Sequence, residues 1–369
     1  MNTTNPAPLP VSADQDDASP RRRTWKRRLS RWLAVVAVLL IAAGGWAYWR
    51  LRSSLPQLDG ELSVQNLASK VLIERDARGV PTISAMTRED AALALGLLHG
   101  QDRFFQMDLL RRVSSGRLSR LLGAAPVDFD TRMRLHRFGA MVEQAVAQLP
   151  DDQRGVLEAY AQGVNAGLAS LGAPPPEYLL LRQTPVPWLV EDSLLVMLSM
   201  VHQLEPLDGA PKLAWTELSE KVPDEVFEFL VRKGSPWDAP LDKSSFPAPA
   251  IPSAEVWSLR DSEATPAVNR AAAAGRRAAE LSPLLSLCLR NPEWEVGSNA
   301  WAVAGALTES GSAILANDMH LGLRVPATWY QAVIICPMLD GQQRRLAGAT
   351  LPNMPSMAVG SNGVLAWGV

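Results

Sequence analysis

The spacing of hydrophobic and polar positions changes several times along the chain, and each change marks an element. Residues 1–20 are polar and rich in proline and aspartate (Pro6, Pro8, Pro10, Asp14, Asp16, Asp17), a composition that buries too little apolar surface to order itself. From Trp32 to Trp49 no residue is charged. That run of 18 is just long enough to span a bilayer as a helix, with Trp32, Trp46, Tyr48 and Trp49 placed for the two interfaces. Arg21, Arg22, Arg23, Lys26, Arg27, Arg28 and Arg31 precede it, so the N-terminus is predicted to stay cytoplasmic and the remainder to be exported. A cleaved signal peptide is the competing reading. Its nearest small-residue site, Ala42-Ala43-Gly44-Gly45, lies inside the apolar run, which favours an uncleaved anchor.

Ser53–Gly60 reads as a short tether, and two strands are expected at 71–75 and 80–84 around the turn Asp76-Ala77-Arg78-Gly79. Thr87-Arg88-Glu89-Asp90 has the form of a capping box and opens a helix with Leu95, Leu98, Phe105 and Leu109 among its apolar positions. A second amphipathic helix is predicted from Asp151 to Leu171, with Val156, Leu157, Tyr160, Val164 and Leu168 on one side, ended by Gly172 and Pro174-Pro175-Pro176. Pro187-Trp188 and Glu191-Asp192 open another that runs to about Leu204. Between Lys243 and about Pro292 the texture becomes low-complexity, with an alternating Pro/Ala stretch at 247–252 and an Ala/Arg stretch at 271–279, which reads as linker.

Beyond that linker the period becomes two. Ser298–Ala304 alternates small residues with larger ones, as a half-buried strand would, and Ala313–Ala316, Trp329–Ile335, Met357–Gly360 and Val364–Trp367 are further expected strands. Two cysteines, Cys288 and Cys336, exclude a disulfide framework or a cysteine metal cluster. A net charge of −2 leaves no nucleic-acid footprint. None of the four histidines (His99, His136, His202, His320) belongs to a zinc-type motif, and no Gly-x-Ser-x-Gly elbow is present. His99, His136 and His202 read as packed or surface residues.

Several ordered motifs resemble the penicillin acylase family of N-terminal-nucleophile hydrolases. They are Gly297-Ser298-Asn299-x-Trp301-x-Val303, then Ile314-Leu315-Ala316-Asn317-Asp318-x-His320-Leu321-Gly322-Leu323, and Trp329-Tyr330. Earlier in the chain stand Asp76-x-x-Gly79-x-Pro81-x-Ile83, Gly100-Gln101-Asp102-Arg103-x-Phe105-Gln106-Met107 and Tyr160-Ala161-Gln162-Gly163-Val164-Asn165-Ala166. Gly100 stands where alanine is usual, read as a minor departure.

The resemblance implies an α+β fold, a partial four-layer αββα sandwich preceded by one transmembrane helix. Together with the N-terminal segments read above, it divides the chain into a disordered basic cytoplasmic tail (1–31), an anchor or signal (32–49), a tether (50–70), a mostly helical α-chain region (71–242), an excised spacer (243–297) and the strand-rich start of a β-chain (298–369). Self-cleavage between Gly297 and Ser298 would free a serine that carries both nucleophile and base, because an α-amine titrates near 7.7–8. Removal of the spacer would take Cys288 with it, so no structural Cys288–Cys336 disulfide is expected.

Further implications follow from the same likeness. His320, 22 residues after Ser298, occupies a position close to the nucleophile that is histidine in cephalosporin, aliphatic penicillin and acyl-homoserine-lactone acylases and glutamine in penicillin G acylases. There an imidazole would orient the serine or its amine. Gln101, Asp102 and Arg103 are expected to form a buried polar support. The implied activity is hydrolysis of a linear, non-peptide amide between an acyl chain and an amine, such as an N-acyl-homoserine lactone or a β-lactam side chain, on the extracytoplasmic side of the inner membrane. No organic cofactor is implied. A structural calcium is common in the family, but the local motif around Glu205 and Asp208 does not match, so no ligand is assigned. The oxyanion donors would lie past Gly360-Ser361-Asn362-Gly363-x-x-x-Trp367-Gly368 and outside the sequence, which implies the front of a longer precursor, inactive by itself. The alternative is a non-catalytic envelope binding or structural protein on the same scaffold.

Overall fold

The computed structural model describes residues 20–204, 210–232, 234–238, 240, 242–257, 297–338 and 340–369. The chain divides into two compact units, Met1–Leu55 and Pro56–Val369. In the first, helix α1 spans Pro20–Ser53, and its part Arg28–Ser53 is long and apolar enough to cross a membrane. Residues 20–31, expected to belong to an unstructured tail, are helical, and residues 50–53, expected as tether, continue the same helix. Arginine, lysine and leucine are strong helix formers, and proline suits a first helical position. Residues 1–19 lie outside the described residues. Trp32, Trp46, Tyr48 and Trp49 are all more than half exposed, at 71%, 53%, 69% and 58%.

The second unit begins with strands β1 (Leu72–Arg75) and β2 (Pro81–Ser84), an antiparallel hairpin. Its turn is held by the Asp76 carboxylate, which accepts from the backbone N–H of Arg78 and Val80 at 2.8 and 2.9 Å. Helix α2 (Arg88–Ser115) follows, capped by Thr87, whose hydroxyl accepts from Asp90 N–H at 3.0 Å. The reciprocal half of the capping box is absent. The buried Asp90 carboxylate instead accepts from Ala68 N–H, Ser69 N–H and the Ser69 hydroxyl, pinning the tether to the helix. Helix α2 is the hub of this unit: every residue from Asp90 to Gln101 is buried, and so are Phe105 and Leu109 further along.

Shorter helices α3 (Ser119–Leu122), α4 (Val127–Leu135) and α5 (Phe138–Ala147) lead to α6 (Asp151–Ala169), which lies directly on α2. Four glycines set that contact. A β-carbon on Gly96 or Gly100 would come within 2.2 Å of the carbonyl oxygen of Tyr160 or Val164, and one on Gly163 or Gly167 within 2.0 or 2.1 Å of Leu93 or Leu97 O. Gly100 is therefore not a minor departure but a residue on which the helix spacing depends. Gly100→Ala would gain about 1 kcal/mol of helix propensity, yet forcing two backbones apart costs about 3 kcal/mol. We expect a clear drop in the denaturant midpoint, whereas Gly155→Ala, with nothing within 4 Å on the same α6, should hold or raise it. Equal behaviour of the two variants would contradict the close packing.

Helices α7 (Pro176–Leu181), α8 (Val190–Leu204), α9 (Ala210–Ser219) and α10 (Asp224–Leu230) complete the helical part. A buried ion network ties α2 to α7 and α8. Asp108 accepts from Arg111 Nε (2.8 Å), Arg112 Nε (2.9 Å) and the Tyr178 hydroxyl (2.7 Å), while Arg111 also donates to Asp192 (2.5 Å) and to the Val186 and Pro187 carbonyls. Burial lifts the Asp192 carboxyl above its ordinary value, and Arg111 opposes that rise. Asn165 grips Trp188 from α6, accepting from its N–H and donating to its carbonyl.

After the linker come β3 (Gly297–Val303), β4 (Ile314–His320), β5 (Tyr330–Pro337), β6 (Gln343–Thr350), β7 (Met357–Ser361) and β8 (Ala366–Trp367). Helices precede strands, as expected, but β1 and β2 join the later strands in one six-stranded sheet of order β1-β2-β5-β6-β7-β8. The pairing of β2 with β5 is parallel, Ile83 against Ile334. Strand β6 was not anticipated: its sequence, Gln343-Arg344-Arg345-Leu346-Ala347-Gly348-Ala349-Thr350, has few β-branched residues. The Asp340-Gly341 pair, with Gly341 at φ 75°, was the available hairpin signal. Strands β3 and β4 form a separate two-stranded ribbon.

His99, read as packing, is fully buried at the junction of α2, α6 and β6, and it is hydrogen-bonded there. The Thr350 hydroxyl donates to Tyr330 O, so it accepts from His99 Nε2–H (3.0 Å), and His99 Nδ1 accepts from the Tyr160 hydroxyl (2.7 Å). Burial first, then the nearby Arg103 charge, pushes the imidazole down to about 3. An unfolded histidine binds a proton below about 6.5 and the folded one does not, so stability is present above that value and falls as pH drops toward 3. Between pH 7 and 5 the loss from this group is about 2 kcal/mol. Urea titrations at both values should show it in the wild type and not in His99→Gln; an equal slope in both would contradict the assignment.

Candidate active site

The register of the β3–β4 ribbon decides which side chains meet around Ser298. Gly297 pairs with His320, Ser298 with Met319, Asn299 with Asp318 and Ala300 with Asn317. Paired residues share a face and neighbours along a strand alternate. His320, Asp318, Asn299 and Gly297 therefore lie on one face, and Ser298, Met319, Ala300 and Asn317 on the other. In the uncut chain the imidazole thus flanks the Gly297–Ser298 peptide from the glycine side, away from the serine hydroxyl. A β-carbon on Gly297 would lie 3.9 Å from His320 Nδ1. His320 Nε2 stands 2.9 Å from Asp318 Oδ2 and 3.3 Å from Asn299 Nδ2.

The expected half-burial of β3 is not found. Ser298 to Ala302 are all exposed, Trp301 by 56%, because the ribbon pairs only with itself and is not part of the larger sheet. Strand β4 is longer than its sequence suggested, running through Asn317, Asp318 and Met319 to His320. A strand ended at Ala316 hides the period-two partnership of Asp318 with His320, which is why Asp318 and Asn317 were not singled out.

Asn317 makes a two-way amide contact: Nδ2 donates to Asn299 O (3.2 Å) and Val369 O (2.5 Å), and Oδ1 accepts from Val369 N–H (3.1 Å). A β-carbon on Gly368 would sit 2.7 Å from Asn317 Oδ1, so the glycine after Trp367 is what lets the chain pass over the Ser298 face of the ribbon.

The Gln101-Asp102-Arg103 run is divided among three partners. Gln101 donates to the Ser170 hydroxyl at 2.9 Å. Asp102 accepts from Arg75 Nη2 at 2.9 Å and from the Tyr330 hydroxyl at 2.7 Å. The Arg103 guanidinium stands over the Tyr330 ring, 5.7 Å from its centre. Together these contacts join α2 to β1, β5 and the end of α6. Burial, then the Asp102 charge, pushes the Tyr330 hydroxyl well above its ordinary value, so it stays a donor.

A cavity of about 640 Å³ opens between the tether and α2, walled by Leu62, Leu67, Leu93 and Leu97, and neither Ser298 nor His320 lines it. Cys336 is a buried thiol on β5, and Cys288 lies outside the described residues. Glu205 and Asp208 also lie outside them, and among the described residues no three His, Cys, Asp or Glu side chains converge.

A family model described as penicillin amidase matches residues 70–369, and the chain belongs to that family. An acyl-homoserine lactone acylase, QuiP, of Pseudomonas aeruginosa is 30% identical over 339 residues, covering 91% of this chain and 37% of that protein. A penicillin acylase 2 proenzyme of Pseudomonas sp. (strain SE83) is 33% identical over 314 residues, covering 83% and 36%. Penicillin G acylase of Escherichia coli is 24% identical over 354 residues, covering 87% and 40%. The chain thus spans well under half the length of these curated relatives. A solved thermostable penicillin G acylase from Alcaligenes faecalis aligns over 49% of this chain and 98% of that one, at 28% identity and a TM-score of 0.41.

Proposed function

We propose that this chain carries the nucleophile of an acyl-amide hydrolase that matures by cutting itself between Gly297 and Ser298. The observation that carries the reading is the Gly297–Ser298 bond at the head of β3, with His320 directly across from it, in a chain of the penicillin amidase family. In maturation the Ser298 hydroxyl adds to the Gly297 carbonyl, the Ser298 nitrogen leaves, and water opens the resulting ester. In turnover the same hydroxyl attacks the substrate amide while the free α-amine takes its proton, directly or through a water. The amine product departs, and water releases the acyl group from Ser298. Such an amine is a fitting base because it titrates near working pH.

The finer architecture proposed is the four-layer αββα sandwich, which the presence of two sheets in one unit and the packing of α2 on the larger one support. Residues 71–242 then form the α-chain, 243–297 the spacer and 298 onward the β-chain. Residues 243–257 carry neither helix nor strand, which supports a linker. After the cut the two chains would stay joined, since β2 pairs with β5 and Asp102 bonds Tyr330 across the break. Helix α1 supports an inner-membrane anchor with the catalytic part outside the cytoplasm. In this reading Gln101, Asp102 and Arg103 hold the scaffold and do not touch substrate.

The substrate class is an acyl chain joined to an amine by an amide, as in the acylated homoserine lactones and penicillins that name the relatives. The test is a hydrolysis assay on the matured protein with N-acyl-homoserine lactones of several chain lengths and with penicillins, reading release of the free amine. Release from at least one is expected. Cut, folded protein that releases amine from none of them would overturn the reading.

A further inference from the structure

We propose that Asp318 is a positioning residue that fixes the tautomer of His320 and leaves its Nδ1 lone pair facing the Gly297–Ser298 bond. This rests on the hydrolase reading above. Asp318 and His320 are alternate residues of β4 and so share a face, and Oδ2 of the carboxylate lies 2.9 Å from Nε2. An ionised carboxylate can only accept, so in the neutral imidazole Nε2 carries the hydrogen and Nδ1 does not. The Asn299 amide nitrogen, 3.3 Å from the same Nε2, cannot donate to a nitrogen that already bears hydrogen, so the closer carboxylate sets the ring. Nδ1 is then the ring nitrogen without hydrogen, and it is the one nearest Gly297, 3.9 Å from where a β-carbon on that glycine would lie.

The consequence is chemical. Once the bond is cut, the Ser298 nitrogen becomes an amine with hydrogens to donate, and an unprotonated Nδ1 is the acceptor that holds its lone pair toward the serine hydroxyl. With the other tautomer a ring N–H would meet an amine N–H, donor against donor. Asp318 is the charged group that the structure sets against His320, and Asn299, which faces it from β3, is neutral. A carboxylate that orients a working imidazole through its second nitrogen is a recurrent arrangement. Here both groups sit on one strand, so the orientation is built into β4 itself.

The experiment is nitrogen-15 NMR of histidine-labelled protein, with His320→Gln used to assign the signal, in wild type, Asp318→Ala and Asp318→Asn. Wild type should show an unprotonated Nδ1 and a protonated Nε2. Asp318→Ala should mix the tautomers and lower kcat about 10–100-fold with KM little changed, by analogy with carboxylates behind other working histidines. Asp318→Asn, whose amide can donate as well as accept, no longer dictates the tautomer and should also show mixed forms and a lowered rate. An Asp318→Ala spectrum identical to wild type in folded protein would overturn the proposal whatever the activity. Shifted tautomers in a protein that hydrolyses no acyl amide would uphold the Asp318–His320 pairing and sink the hydrolase reading instead.

Discussion

Ser298→Ala is expected to abolish acyl-amide turnover, with a loss on the order of 10⁶-fold and only background hydrolysis left, as for removal of a nucleophile in other acyl-transfer enzymes. The reason is double. Alanine has no hydroxyl to form the proposed acyl-enzyme, and without that hydroxyl the preceding peptide would not be opened, so the α-amine proposed as base would never be released. Ser298→Cys keeps a nucleophile at the same atom and should still process its own chain. The β3–β4 pairing uses backbone groups, and residue 298 is exposed, so neither change should disturb the fold. Steady-state rates of amine release from the three proteins at equal concentration check this. Wild-type turnover in Ser298→Ala would remove Ser298 from the chemistry.

The largest effect on stability is expected at Asp108. Its side chain is fully buried and both oxygens are occupied, one by Arg111 and Arg112 and the other by Tyr178. Asp108→Ala leaves two guanidinium groups and a phenol short of their acceptor in a water-poor interior. Breaking one side of a buried ion network costs about 3–5 kcal/mol, against a total stability of roughly 5–15 kcal/mol for a folded domain. Replacing Asp76, whose carboxylate is solvent-exposed in a surface turn, should cost far less. Denaturant midpoints at pH 7 compare the two directly. A change below about 1 kcal/mol for Asp108→Ala would mean that Asp192 alone satisfies Arg111.

What could be read from the sequence follows from which residues announce their own geometry. Helix α2 was legible from the Thr87 cap at its start, and α6 from the apolar spacing of Leu157, Tyr160, Val164 and Leu168 ahead of Gly172 and Pro174. The apolar run of α1 was legible, but its start was not, since basic residues extend a helix without marking it. Strand β6 escaped because arginine, alanine and glycine do not advertise a strand; its place is set by β5 and β7 on either side. Gly100 could not be valued from the sequence, because its importance comes from the Val164 carbonyl 64 positions away. At the candidate site, Ser298 and His320 came from resemblance to a family; the structure pairs Gly297 with His320 across the ribbon. Asp318 was visible in principle, since Asp-x-His on a strand places both on one face, but only if β4 is carried to its full length.

The central claim is the cut at Ser298, and intact mass with N-terminal sequencing of the protein expressed from its complete gene tests it most directly. The account predicts a chain that begins Ser298-Asn299-Ala300-Trp301 in the wild type and a chain uncut at that bond in Ser298→Ala. A single uncut chain in folded wild-type protein would contradict it.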